Sequence, residues 1–156
     1  MIRSAHHSFH VVAPPPLLFL GGFLLGLALN AWRPLAIVPL PAIAWGGSAL
    51  AAAGMAFAAA GALTFRRVGT GLEPGTPATT LVTVGPYRWS RNPIYVGMAA
   101  VSAGLALVLN AMWILLTLIA VIALVQFGVI HREERYLSDR FPNEYGAYRA
   151  RVRRWL

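Results

Sequence analysis

Residues 85–97 contain most of the side chains in this sequence that could do chemistry. The stretch reads Gly-Pro-Tyr-Arg-Trp-Ser-Arg-Asn-Pro-Ile-Tyr-Val-Gly and joins a polar, turn-rich segment to a long apolar run. Pro86 and Pro93 fix their own φ angles and disfavour helical geometry in the residue before each. Pro93 also suits the first position of a following helix, where its missing N–H would have no partner. Arginine beside tyrosine and tryptophan is typical of a membrane interface, so the stretch predicts either an anchor or a site at the membrane surface.

A second group of polar residues follows the last apolar run. His131, Glu133 and Glu134 stand at its head, and Tyr148 and Arg151 lie three residues apart further on, a spacing that shares one face of a helix. Carboxylates can hold hydroxyl or ammonium groups, and arginine can hold a carboxylate through its planar fork. Tyrosine rings attract soft cations such as a sulfonium. Together the two groups predict a pocket for a small zwitterionic ligand with a cationic centre.

The composition indicates a polytopic membrane protein. Hydrophobic residues make up 58% of the 156 and charged residues 12%, about half of the ordinary charged share of ~25%. The absence of cysteine excludes a disulfide framework, a thiol nucleophile and a thiolate metal site. The net charge of +8 comes from arginines that flank the apolar runs. Contact with lipid headgroups therefore explains the charge better than nucleic-acid binding does.

Four apolar runs predict membrane-spanning helices at residues 15–32, 43–65, 94–109 and 111–130. The expected fold is all-α: one domain, built as a bundle of about four transmembrane helices with a cytoplasmic helical tail at 131–156. In the second run, glycines recur every seven residues among alanines, which predicts close approach of a neighbouring helix. These glycines are Gly47, Gly54 and Gly61.

The distribution of arginine predicts the topology. Arg66, Arg67, Arg88 and Arg91 lie between the second and third runs, and seven more arginines follow the fourth run, whereas the turn at Asn110 carries no charge. The positive-inside rule then places the central loop, the tail and the N terminus in the cytoplasm. We expect an inner-membrane protein of a bacterium in which the 85–97 stretch and the tail share one side.

Two other classes of function fit the sequence poorly. Ion-coupled transport usually needs an ionisable group inside the membrane, yet the acidic residues all lie outside the apolar runs. A hydrolase would need a serine in a nucleophile-elbow context or a suitably placed histidine. Apart from His131, histidine occurs only in an N-terminal cluster without acidic or cysteine neighbours, so we predict no metal site. The acidic residues are Glu73, Glu133, Glu134, Asp139 and Glu144, and the cluster is His6, His7 and His10.

The first stretch, written Gly85-Pro86-Tyr87-x-x-x-Arg91-Asn92-Pro93-x-Tyr95-x-Gly97, closely resembles the signature of two families, the integral-membrane isoprenylcysteine carboxyl methyltransferases and the phospholipid methyltransferases. The tail resembles theirs too, as His131-x-Glu133-Glu134 and then Phe141-x-x-Glu144-Tyr145-x-x-Tyr148-x-x-Arg151-Val152. The resemblance covers about residues 81–152. It implies a small bundle of membrane helices that uses S-adenosylmethionine, held between the first motif and the cytoplasmic tail.

The resemblance also implies roles for individual residues. Those expected at the cofactor are Val84, Gly85, Pro86, Tyr87, Asn92, Pro93, Tyr95, His131, Glu133 and Glu134. Those expected nearest the acceptor, as catalytic residues, are Arg91, Glu144, Tyr148 and Arg151. Arg149, Arg153 and Arg154 have no motif support and are predicted to contact headgroups. Asn92 stands where many members have histidine, and because asparagine cannot titrate near neutral pH, a general base at this position is in doubt.

The expected activity is methyl transfer to a lipophilic small molecule or lipid at the cytoplasmic membrane surface. A carboxylate acceptor would need no base, whereas an amine or thiol would need one, for which Glu144 or a tyrosine is the candidate. The competing hypothesis is a non-enzymatic scaffold or lipid-binding protein with membrane lipids as its partners. That hypothesis explains the glycines and arginines but not Glu133, Glu134 and the first motif. The acceptor and the oligomeric state stay open.

Overall fold

The computed structural model describes residues 14–38, 41–69 and 80–156. The N-terminal histidines and Glu73 lie outside these ranges. Within them the chain contains helices and no strand, which confirms the all-α prediction. The α-helices are α1 (Pro15–Trp32), α2 (Pro41–Val68), α3 (Pro93–Val108), α4 (Met112–Val125), α5 (His131–Arg140) and α6 (Pro142–Arg151). A 3-10 turn at Gly85–Arg88 precedes α3, and a π-helical segment at Gln126–Ile130 joins α4 to α5.

Three of these helices have the length and apolar composition needed to cross a membrane: Pro15–Trp32, Pro41–Val68 and the continuous helix Met112–Arg140. The fourth apolar helix, α3, is shorter, with 16 residues. The bundle of membrane helices predicted from the sequence is therefore confirmed. The fourth apolar run does not end its helix at residue 130, because the π-helical segment carries the same helix onward into the charged tail.

Glycines set the distance between α2 and α3, which pack along each other more extensively than any other pair. A Cβ atom added to Gly54 would lie 2.7 Å from the carbonyl oxygen of Gly97, and one added to Gly104 would lie 2.5 Å from that of Gly47. The two backbones are thus in direct contact, as the small-residue face of α2 predicted. Helix α3 also packs against α4, and α4 packs along α1.

Polar groups fix the connections at the end of the bundle opposite residues 85–93. Asn110 has a φ angle of 48°, and its Oδ1 accepts hydrogen bonds from the backbone N–H groups of Ile37 (2.8 Å) and Val38 (3.1 Å). The indole of Trp113 donates to the carbonyl of Arg33 at 2.8 Å. The α1–α2 connection is therefore tied to the turn between α3 and α4.

Of two hydrophobic core clusters in the described residues, the larger lies towards the end of the bundle that carries residues 85–93, called the motif end here. Trp155, near the C terminus, packs against this core. The beginning of α1, the end of α4 and the tail consequently meet at the motif end. The buried core residues are Phe19, Leu118, Val121, Val125, Val129 and Ile130.

Candidate active site

The first motif forms a tight turn that places a tyrosine inside the protein. Gly85 has a φ angle of +61°, and an added Cβ would lie 2.9 Å from Oγ1 of Thr64, so only glycine fits without strain. Pro86 and Tyr87 are buried in the 3-10 turn that follows. The ring of Tyr87 meets that of Phe65 edge to face, with centroids 5.1 Å apart. Local backbone geometry thus directs Tyr87 between α2 and the tail.

Residues 152–155, called the C-terminal segment, cross this motif after α6 has ended at Arg151. The N–H of Arg91 donates to the carbonyl oxygen of Arg153 at 3.0 Å. The carbonyl oxygen of Arg154 accepts from Nδ2 of Asn92 at 2.9 Å and from Oγ of Ser90 at 3.3 Å. Ser90 is fully buried. Three consecutive motif residues therefore hold the C-terminal segment in place.

Trp155 anchors the end of this segment. Its indole N–H donates to Oε1 of Gln126 at 2.8 Å. Because indole nitrogen is only a donor, the amide oxygen of Gln126 must face it, and the amide Nε2 then faces Nε2 of His131 at 3.1 Å. His131 accepts that hydrogen bond, and its ring also packs edge to face on Phe127. His131 thus supports the anchor of the C-terminal segment.

Glu134 lies between two arginines. Arg154 binds it in bidentate fashion, with Nε to Oε1 at 2.9 Å and Nη2 to Oε2 at 2.7 Å. This hydrogen bonding raises the pKa of Arg154. Arg91 reaches the same carboxylate from the other side through Nη1, 2.9 Å from Oε1. Nη1 of Arg91 also donates to the hydroxyl of Tyr145 at 3.2 Å, whereas its Nε is buried without a protein partner in the described chain.

Glu133 has a different environment from its neighbour. Its Oε1 accepts a hydrogen bond of 3.0 Å from the hydroxyl of Tyr95 on α3. No arginine of the described residues forms an ion pair with Glu133, in contrast to Glu134. Successive residues on a helix point about 100° apart, so the two carboxylates of α5 face different partners.

Two tyrosines join α6 to the first motif. The hydroxyl of Tyr148 donates to the carbonyl oxygen of Tyr87 at 2.7 Å, and the ring of Tyr145 lies edge to face beside Tyr148. Burial raises the pKa of both Tyr87 and Tyr148 well above the ordinary value. Both phenols are therefore neutral hydrogen-bonding groups at physiological pH.

The sequence model of the phospholipid methyltransferase family matches residues 42–144, more than half of the chain. The chain belongs to the phospholipid methyltransferase family. This confirms the resemblance drawn from the two motifs. The match begins near the start of α2 and ends at residue 144 within α6, so it includes the first motif, the tail motif as far as Glu144, and the two helices whose glycines are in contact.

One relative is the cobalt-zinc-cadmium resistance protein CzcN of Cupriavidus metallidurans. It is 35% identical over 78 residues, which cover 50% of this chain and 36% of that protein. The chain therefore matches only about a third of the length of this relative. No solved structure matches the chain.

Most of the residues predicted at the site of this phospholipid methyltransferase family member lie together at the motif end. Val84 is a peripheral member, with a side chain that is 54% exposed. Glu144 and Arg151 lie on the exposed side of α6, and Nε of Arg151 donates to the carbonyl oxygen of Ala147 in its own helix at 3.2 Å. Their roles towards an acceptor stay predictions. The residues brought together are Gly85, Pro86, Tyr87, Arg91, Asn92, Pro93, Tyr95, Glu133, Glu134 and Tyr148.

Three residues of the candidate site were given no individual role there from the sequence. Arg154 was assigned to headgroups, and that assignment was wrong because its guanidinium binds Glu134. Tyr145 precedes Tyr148 by three residues, and this helical spacing could have suggested that both face inward. Ser90 gave no signal beyond its place within the motif. In this phospholipid methyltransferase family member, the C-terminal segment thus contacts the candidate site.

Proposed function

We propose that the protein transfers a methyl group from S-adenosylmethionine to a lipophilic acceptor at the cytoplasmic surface of the membrane. Family membership supports methyl transfer, and the long apolar helices support a membrane location. One observation carries the donor proposal, namely the contrast between two adjacent glutamates. Glu134 is paired with two arginines, whereas Glu133 keeps a carboxyl group that only Tyr95 binds among the described residues.

The side chains of the site fit the polar groups of this donor. Glu133 can accept hydrogen bonds from ribose hydroxyls or from an ammonium group. The buried Nε–H of Arg91 has no partner among the described residues. Buried donors of this kind are normally satisfied, and an oxygen of the bound donor would satisfy this one. The rings of Tyr87 and Tyr95 can attract a sulfonium. When bound, S-adenosylmethionine supplies a methyl group on an already activated leaving group.

The remaining work of the protein is to align the reactants and exclude water. The hydrogen bond from Tyr148 to Tyr87 fixes α6 against the first motif, and the C-terminal segment covers the motif. With their raised pKa values, Tyr87 and Tyr148 are poor general bases, and Glu144 is exposed. A carboxylate acceptor would need no base, whereas an amine or a thiol would need a proton acceptor other than these two tyrosines.

A scaffold would explain the glycine contacts between α2 and α3 but not the polar site. An apolar acceptor can reach the motif end from the lipid, because the helices that surround it present apolar side chains outward. Examples of such exposed side chains are those of Leu124 (58% exposed) and Phe127 (68% exposed) on the long helix. The proposed function therefore accounts for both the membrane setting and the buried charges.

Calorimetric titration of S-adenosylmethionine into the detergent-solubilised protein tests the donor. We expect saturable binding, and we expect transfer of labelled methyl groups to a pooled lipid extract. Absence of donor binding would overturn the proposed function. Binding without transfer to any lipid fraction would retain the donor site and remove the lipophilic acceptor.

The absence of cysteine allows a clean test of the proposed topology. Leu109, in the turn after α3, is 47% exposed, and Leu156 is 68% exposed. In intact cells, we expect a membrane-impermeant thiol reagent to label Leu109→Cys. It should label Leu156→Cys only after the cells are permeabilised. The reverse pattern would place the site on the outer face of the membrane.

A further inference from the structure

The cluster formed by Arg91, Glu134 and Arg154 carries a net positive charge. It contains two guanidinium groups and one carboxylate, in contact at 2.7–2.9 Å. The side chains of Arg91 and Glu134 are only 10% and 12% exposed, and that of Arg154 is 34% exposed. An uncompensated charge that is largely shielded from water is costly unless something pairs with it. Within this cluster there is therefore one more guanidinium group than carboxylate.

The way in which the arginines share Glu134 explains why Arg91 is not fully paired. Arg154 engages both carboxylate oxygens, and Arg91 contacts only Oε1, through a single nitrogen. An arginine alone with a carboxylate prefers a bidentate pair. Without Arg154, we expect Arg91 to rotate into such a pair with Glu134. Arg154 thus prevents Glu134 from saturating Arg91, whose buried Nε has no partner among the described residues.

We propose that this cluster, called the arginine pair, binds an anionic group of a ligand, a carboxylate or a phosphate. Arg91 contacts the anion, and Arg154 is a positioning residue that acts through Glu134. The proposal rests on the proposed function and deepens it. The anion is either the amino-acid carboxylate of the methyl donor or a charged group of the acceptor, and the two sources can be separated experimentally.

The experiment compares two ligands that differ in this anion. S-adenosylhomocysteine carries the carboxylate, and methylthioadenosine lacks the amino-acid portion. If the donor supplies the anion, Arg154→Gln should weaken S-adenosylhomocysteine binding by roughly tenfold or more, the effect of one charge-assisted hydrogen bond. Methylthioadenosine binding should not change. If the acceptor supplies the anion, both nucleoside affinities should stay at the parent value, and binding of dihexanoyl phosphatidic acid should weaken instead.

A second substitution separates positioning from a purely structural role. Replacing Glu134 as well, in Arg154→Gln/Glu134→Gln, frees Arg91 again and should restore most of the lost anion affinity. Arg135→Gln removes an exposed arginine of α5 and should leave the affinities for S-adenosylhomocysteine and for phosphatidic acid unchanged. Thermal unfolding in detergent should show that each variant is folded. As a milder change, Arg154→Lys keeps the positive charge but loses the bidentate geometry of the guanidinium group. It should lower the affinity for the anionic ligand by less than Arg154→Gln does.

The outcomes distinguish this inference from the proposed function. A parent protein that binds no S-adenosylhomocysteine and transfers no methyl group contradicts the proposed function itself. If the parent binds normally and Arg154→Gln matches it for both nucleosides and for phosphatidic acid, the anion site is wrong. If Arg154→Gln weakens binding but the double variant does not recover, Arg154 does not act through Glu134 and its positioning role is overturned.

Discussion

The hydroxyl of Tyr148 donates a hydrogen bond of 2.7 Å to the backbone carbonyl oxygen of Tyr87, across 61 residues of sequence. Both residues are buried, at 4% and 6% exposure. The bond joins the last helix of the tail to the 3-10 turn of the first motif. It makes the shape of the site depend on two segments that helices α3, α4 and α5 separate in the chain.

We expect Tyr148→Phe to destabilise the protein by about 1–3 kcal/mol, because the carbonyl of Tyr87 would remain buried without its donor. Denaturant titration in detergent measures this. The matched change Tyr145→Phe should cost less, because Nη1 of Arg91 keeps its contact with Glu134 after losing the tyrosine hydroxyl. Equal stability of the parent and Tyr148→Phe would mean that this bond does not hold the tail in place.

Glu133→Gln should lower the affinity for S-adenosylmethionine by about 1.5–3 kcal/mol, the usual effect of losing a hydrogen bond to a charged group. The reason is that Glu133 is the glutamate of the site that no arginine of the described residues neutralises. Calorimetry gives the affinity directly. Asp139→Asn removes the same charge from an exposed position of α5 and should bind the donor like the parent. Unchanged affinity in Glu133→Gln would remove this residue from the donor site.

Substituting glycines of α2 tests the contact between the two most closely packed helices. An added Cβ on Gly54 would meet the carbonyl oxygen of Gly97 at 2.7 Å, whereas one on Gly46 meets nothing within 4 Å. Gly54→Ala should therefore destabilise the protein by about 1–3 kcal/mol through overpacking. Gly46→Ala should be neutral or stabilising, since alanine favours helices by ~1 kcal/mol over glycine. Thermal unfolding in detergent compares the two, and similar losses in both would contradict close packing at Gly54.

Much of the fold followed from the sequence, since apolar runs, glycine spacing and proline positions act locally. Which arginine of the tail binds Glu134 could not be predicted from the sequence. Arg149, Arg151, Arg153 and Arg154 lie within six residues of sequence and have the same chemistry. What separates them is the end of α6 at Arg151, after which Val152 is extended and the chain turns back over the motif. Only the backbone path places Arg154 beside Glu134.

Helical spacing was also an incomplete guide near the end of α6. Tyr148 and Arg151 are three residues apart and were predicted to share a face, yet Tyr148 is buried and Arg151 is exposed. Arg151 is the last residue of the helix, and its side chain bonds to the carbonyl of Ala147. Tertiary contacts of the C-terminal segment, which a periodic pattern does not contain, decide the surroundings of each side chain.

The last prediction concerns Asn92, at the position where many family members carry histidine. Its Nδ2 donates to the carbonyl oxygen of Arg154 at 2.9 Å, a role that needs a donor and not a base. A histidine can donate through a ring N–H, so Asn92→His should retain the rate of methyl transfer within roughly threefold. The pH–rate profile should show no new ionisation with a pKa of about 6.5, the ordinary value for histidine. Asn92→Asp places a carboxylate against the carbonyl oxygen and should weaken donor binding and stability. The same change at the exposed Asn143 should have no effect. A new rate-limiting ionisation near neutral pH in Asn92→His would instead identify this position as one where a base can act.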